Sequence, residues 1–359
     1  MLDKYATLIK IETGYIMNQE TIASASGKVT IDDVAAHCGF SKATVSRVIN
    51  REGSVKPATE ARVREAIELL GYSPNNAASA LSGGKTRTIA VFLPDVKTEY
   101  YATLLTGLEE VAEKQFFNII IKTQNNKKAL LDLAVNNRVD AFILRNNGLT
   151  PFDNDVLVTL RRRGIPVVFI GKPPAESDAH AILIDNVGGA RLMAHHYAQH
   201  GFKRILFIAG PKDNLDSNDR LYGFKIGLSE MSADIETLDV VHGDFLRESG
   251  YAAANQALEA TTYDAIFAAS DHMALGAMLY CRSKGIRVPA DIAITGFDDT
   301  FFSEFLDPPL TTVHQPMQEI GSIAMETALR ILEQRDPRSQ KIILPTQLQV
   351  RQSCGCAHN

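Results

Sequence analysis

The sequence contains no tryptophan and only four cysteines, Cys38, Cys281, Cys354 and Cys356, among its 359 residues. So few scattered thiols do not make a disulfide framework, and a reducing cytosol is the expected compartment. No run approaches 18 apolar residues, which excludes a helical membrane span. Met1 to Lys28 lacks the continuous apolar stretch of a signal peptide. No P-loop, dinucleotide fingerprint or nucleophile elbow follows a strand-like run, so no cofactor is expected and the chain reads as a non-enzyme. A basic excess is also missing. The net charge is −5, which argues against nucleic acid until its distribution is considered.

That distribution is uneven. Lys28 to Arg87 holds nine Lys/Arg against six Asp/Glu, a net of +3, whereas the first 27 residues carry −1 and the remainder −7. A basic head on an acidic body suits a protein in which only the head meets phosphate. The periodicities divide the chain into five parts: a loose N-terminal extension over 1–27, in which Met17 is an alternative start; a helical head over 28–73; a short helix and linker over 74–87; a body over 88–353; and a tail over 354–359. In the body, short apolar runs alternate with amphipathic helices, as right-handed βαβ units require. One set comprises Ile89–Leu93, Ile119–Lys122, Ala141–Leu144, Val167–Ile170 and Ile182–Ile184. The second comprises Ile205–Ile208, Leu238–Val241, Ala265–Ala268, Ile292–Thr295 and Leu310–Val313. The expected fold is therefore α/β: a small all-α head plus a parallel-sheet body in two lobes with a cleft between them.

The head carries a helix-turn-helix pattern from Ile31 to Asn50. Thr30 is spaced to cap the first helix with Asp33 in a capping box. Gly39 permits the positive φ of the turn, and Ser41 is placed to cap the second helix. Val34, Cys38, Phe40, Val45 and Val48 supply the apolar seam. The second helix presents Lys42, Ala43, Thr44, Ser46 and Arg47 outward. Arg47 has the fork that guanine O6/N7 accepts and Ala43 can touch a thymine methyl, while Thr44, Ser46 and Asn50 suit phosphate.

These residues carry a resemblance. Ser41-x-x-Thr44-Val45-Ser46-Arg47-x-x-Asn50, then Gly71-Tyr72-x-Pro74-Asn75 and Ala78-x-x-Leu81, look like the lactose-repressor/galactose-repressor family of regulators. The likeness continues through Gly210-Pro211, Arg220-x-x-Gly223-Phe224, Gly243-Asp244-Phe245, Ser270-Asp271, Gly296-Phe297-Asp298-Asp299 and Leu310-Thr311-Thr312. It implies a cytoplasmic homodimer on near-palindromic double-stranded operator DNA, with Asn75, Ala78 and Leu81 in a hinge helix that docks in the minor groove and Leu81 as its apolar wedge. Ser79 departs from the arginine that many relatives carry there. The body resembles periplasmic sugar-binding proteins, which implies a small effector held between the lobes.

Effector residues are expected where strands give way to loops. The candidates are Asp185, Asn186, Ser270, Asp271 and Asp298, with Arg220 opening a helix and Tyr100, Tyr101 and Phe245 matching the family's aromatic positions. Vicinal hydroxyls want bidentate partners, which Asp298 and Arg220 offer, and a sugar's C–H face wants an aromatic platform. A purine would also stack there, so that effector class stays open, as does a soluble binding role without gene regulation. Asp185, Ser270 and Asp271 have equally good readings as helix caps. His195, His196 and His200 read as a solvated helix surface. Cys354 and Cys356, with His358, read as a plain tail, so no metal is expected.

Overall fold

A computed structural model describes residues 29–50, 55–72, 86–123, 126–148, 154–174, 177–333 and 339–356. The expectations for 1–27 and for the hinge residues Asn75, Ala78, Ser79 and Leu81 lie outside those residues. The chain divides into two compact units, Met1–Asn75 and Asn76–Asn359.

The described residues of the first unit form three helices: α1 (Ile31–Cys38), α2 (Lys42–Asn50) and α3 (Pro57–Leu70). Thr30 Oγ1 accepts from the Asp33 amide, and Asp33 in turn accepts from the Thr30 amide at 2.8 Å, closing the capping box. Gly39 takes φ 72° and ends α1. The i,i+4 pair Val34 and Cys38 packs with Val45, Val48 and Ile49 of α2 and Val63, Ala66 and Ile67 of α3, all buried. Phe40 stays half-buried beneath the Arg62 guanidinium, 5.2 Å from the ring centre.

The second unit has two lobes. The first is a six-stranded parallel sheet in the order β11-β5-β4-β3-β1-β2, formed by β1 (Thr88–Leu93), β2 (Asn118–Thr123), β3 (Ala141–Arg145), β4 (Val167–Ile170), β5 (His180–Ile184) and β11 (Lys341–Leu344). Alternation sets its two faces. Ile89, Val91 and Leu93 pack with α4 (Glu99–Lys114) and α11 (Met317–Leu332), while Ala90 and Phe92 pack with α5 (Lys127–Val135) and α6 (Asn154–Arg162). The second lobe holds the parallel sheet β7-β6-β8-β9, from β6 (Arg204–Ala209), β7 (Thr237–His242), β8 (Ala265–Ala268) and β9 (Ala293–Thr295). Its helices are α7 (Asn186–His200), α8 (Leu215–Glu230), α9 (Arg247–Ala260) and α10 (Asp271–Ser283). Tyr197, Phe207, Phe224 and Phe267 fill that core, and the Tyr197 hydroxyl donates to the Ile266 carbonyl at 2.8 Å.

The chain crosses between lobes three times, after β5, after β10 (Thr312–His314) and after β11. The stretch 310–313, expected as a fifth strand of the second set, bridges parallel to β9 at Thr295–Thr311 and contributes to β10, which pairs antiparallel with β12 (Gln347–Gln349). The third crossover segment follows β11, which joins the edge of the first sheet beside β5. No helix among the described residues is long and apolar enough to cross a membrane.

Candidate functional site

In the head, Ser41 Oγ accepts from the Thr44 amide at 3.2 Å, so Ser41 caps α2 and its hydroxyl is engaged. Lys42, Ala43 and Arg47 are exposed along one side of α2, and Thr44 and Ser46 are half-buried. Lys42 is paired with Asp32 of α1 at 2.9 Å, with both side chains largely exposed. An exposed pair of this kind is weak and yields readily to phosphate. Asn50 is the last residue of α2.

In the body, a cavity of about 160 Å³ opens between the lobes, lined by Tyr100, Tyr101, Arg145, Asn147, Asp216, Arg220, Phe245, His272 and Asp298 among others. Each lining group sits where an element ends or begins at the cleft. Arg145 closes β3 in the first lobe, Tyr100 and Tyr101 open α4, and Asp216 and Arg220 lie in the first turns of α8. Phe245 fits because Gly210 has no side chain: a Cβ there would stand 2.2 Å from the Phe245 ring. Phe245 itself has φ 70°.

A chain of charge-assisted hydrogen bonds joins these groups. Arg145 donates to Asp216 at 2.5 Å and to the Tyr100 hydroxyl at 3.3 Å. The Asn186 amide donates to Asp216 at 3.1 Å, while its carbonyl accepts from Arg220 at 2.9 Å. Arg220 also donates to Asp298 at 3.2 Å and lies 3.9 Å above the centre of the Phe297 ring. Gln315, in the second crossover, donates to the same Asp298 oxygen at 2.5 Å. Asp298 adopts φ 128° and Asp299 φ 56°, a strained pair of the kind that collects at ligand sites. Two buried atoms in this network have no hydrogen-bond partner among the described residues, the donor Arg145 Nε and the acceptor Gln315 Oε1. A wider groove of about 610 Å³ adjoins the cavity, sharing Tyr100 and Asp298 and running past Gln315 and Gln318.

The electrostatics are asymmetric. Burial works against the charge on Asp216, but the Arg145 and Arg220 guanidiniums override it and hold its pKa below the ordinary range. Burial raises Asp298 to about 7, with Asp271 adding to the rise and Arg220 and Gln315 opposing it. Tyr100 and Tyr101 are both raised by burial and stay protonated.

Three expected effector residues sit elsewhere. Asp185 caps α7 by accepting from the Gly188 amide at 2.8 Å. Ser270 caps α10, and its hydroxyl donates to the Phe245 carbonyl at 3.3 Å, so it bears on the cavity only by holding Phe245. Asp271 is fully buried, accepting from the Thr300 amide, Ser303 Oγ and Thr312 Oγ1. It organises the loop after β9 rather than facing the cleft. Asn186 stands behind Asp216 and Arg220 and orients both. Arg145 and Asp216 were not singled out by sequence reasoning as effector contacts. The signal for Arg145 is a cation closing an otherwise apolar strand, Ala141–Arg145, where a buried charge has no place without a partner.

Comparison with known proteins follows the same division. Residues 30–75 match the family described as bacterial regulatory proteins, lacI family, and residues 194–354 match a periplasmic binding protein-like domain. Catabolite control protein A of Priestia megaterium is 33% identical over 331 residues, covering 90% of this chain and 99% of that protein. Among solved structures, a transcriptional regulator CelR–cellobiose complex has a TM-score of 0.67 at 32% identity, covering 91% of this chain and 100% of the other. The lac repressor dimer bound to operator and the anti-inducer ONPF has a TM-score of 0.71 at 27% identity, covering 91% and 99%.

Proposed function

The chain belongs to the lacI family of bacterial regulatory proteins, and from that premise we propose that it is a repressor switched by a small sugar in the interlobe cavity. It is a DNA-binding transcriptional regulator and not an enzyme. One observation carries the sugar reading: the cavity is lined by the aromatic rings of Tyr100, Tyr101 and Phe245 together with two Arg–Asp pairs. Ring hydroxyls both donate and accept, so they suit guanidinium and carboxylate partners together, which no purely anionic ligand does. At about 160 Å³ the space falls below the roughly 300–1,000 Å³ of pockets for drug-sized ligands, which favours one sugar ring. The cellobiose of the CelR complex supports the class of effector and not its identity.

The proposed output runs through the head. Arg47 reads a base edge from the major groove, with Lys42, Thr44 and Ser46 at the backbone. One head reads one half-site, so we propose a twofold dimer on a near-palindromic operator in the cytoplasm. Calorimetry of the full chain against single-ring sugars, disaccharides, sugar phosphates and purine bases tests the effector. A single-ring sugar that binds and also shifts operator affinity supports the reading; a response to purine alone replaces it. Sedimentation on operator DNA checks the dimer, which a monomer bound to a half-site would rule out.

A further inference from the structure

The tail and one helix of the second lobe build a second constellation, away from the effector cavity. His196 and His200 sit one turn apart on α7, the i,i+4 spacing that aligns two side chains on one face. Cys354 and Cys356 arrive from the far end of the sequence, around a turn in which Gly355 takes φ 90°. The tail is held in place by main-chain bonds: Ile294 donates to the Ser353 carbonyl at 2.9 Å and Gly355 to the Gln352 carbonyl at 3.0 Å. Two nitrogens and two sulfurs thereby converge, all within 4.8 Å of one another, with Cys354 and His196 buried and Cys356 and His200 half-buried. Where a solvated helix surface was expected for His196 and His200 and a plain tail for Cys354 and Cys356, the structure brings the four together. His195 goes elsewhere, to Glu230 at 2.9 Å.

We propose that His196, His200, Cys354 and Cys356 form a closed tetrahedral site for a zinc-class cation that clamps the C-terminal tail to α7. The donor set decides the class of metal. Two imidazoles and two thiolates with no carboxylate suit borderline and soft ions and offer little to calcium or magnesium. The spacing agrees. Zinc bonds of about 2.0–2.3 Å place tetrahedral ligand atoms roughly 3.3–3.8 Å apart. His200 Nε2 already lies 3.3 Å from Cys356 Sγ and His196 Nε2 4.0 Å from it, so closing on a metal needs shifts of an ångström or less. The Thr311 hydroxyl donates to Cys354 Sγ at 3.1 Å, a contact that supports the thiolate a metal requires. Four ligands leave no open position, which makes the site structural rather than catalytic.

Cobalt(II) is the probe, added to the chelator-treated full chain under reducing conditions. The expected result is about one cobalt per chain, with thiolate-to-cobalt charge-transfer absorption and the visible bands of a tetrahedral ion, displaced by zinc. Cys356→Ser and His200→Ala should each weaken binding roughly tenfold or more, while His195→Ala, one residue away, leaves it unchanged. Metal analysis of the unaltered protein needs no variant and should give zinc in the same ratio. An octahedral cobalt spectrum without thiolate bands overturns the proposal. So does affinity indifferent to Cys356→Ser and His200→Ala, or a His195→Ala protein as impaired as those two.

Discussion

Two arginine–aspartate pairs meet at the interlobe cavity, equally buried and differently held. Arg145–Asp216 spans the lobes: the guanidinium closes a strand of the first and the carboxylate opens a helix of the second. Arg220–Asp298 lies within the second lobe. Asp216 faces two guanidiniums and remains an anion, whereas Asp298 shares one with it and has Asp271 as an acidic neighbour, which leaves it near neutrality. Burial alone therefore does not fix a carboxylate's charge; the number of cations around it does. The first pair acts as a latch between lobes, alongside Lys172–Asp219 at 2.7 Å and His272–Glu99 at 2.7 Å. The second pair can change protonation and partner, as the proposed effector contact requires.

The largest expected effect tests the latch. Asp216→Asn leaves the Arg145 guanidinium buried without a counter-charge, and should lower stability by about 3–5 kcal/mol in urea unfolding followed by circular dichroism. Arg220→Ala should cost less, about 1–3 kcal/mol, because Asp298 takes up a proton instead of remaining a lone anion. The same variant should lose the sugar response while operator affinity stays near that of the parent, as read by titration with and without ligand. Equal losses of stability for the two variants would erase the distinction between the pairs.

The smallest effect is a titration. Carboxyl carbon NMR should place the Asp298 midpoint near 7 and find Asp216 still ionised below the ordinary range. The two groups then act oppositely on stability. Asp298, with its raised folded pKa, contributes most below the unfolded carboxylate value, and that contribution is lost as pH rises through about 7. Asp216, with its depressed pKa, contributes fully above the unfolded value and loses it as pH falls. Asp298→Asn should therefore flatten the stability profile between about pH 4 and 7 without altering its acid limb. A profile unchanged by that substitution would return Asp298 to the ordinary carboxylate range.

The head was legible in sequence because its determinants are local. A capping box, a glycine turn and i,i+4 apolar pairs all act within one helical turn, and Thr30, Gly39 and Ser41 take their expected places. The parallel strands were legible from their apolar runs, but the partners of β10, β11 and β12 were not, because crossovers choose them. The site was half legible. Arg220, Asp298, Tyr100, Tyr101 and Phe245 line the cavity as expected. Arg145 meets Asp216 only because two lobes close on each other, 71 positions apart in the chain. Asp185, Ser270 and Asp271 were left open between two roles: a short polar residue after a strand is as good a cap as a ligand, and only the donors around it decide.

The last strand of the first sheet has a consequence for synthesis. β11 pairs with β5 through Lys341–Leu344, after the chain has already passed through the second lobe. The lobe that leaves the ribosome first is thus the one completed last. Until residue 344 emerges, the backbone of β5 keeps an open edge, with amides and carbonyls that can pair with any extended chain nearby. A product that stops short of Lys341 would carry that edge permanently, and would be expected to pair with its own copies and aggregate rather than persist as a shortened regulator.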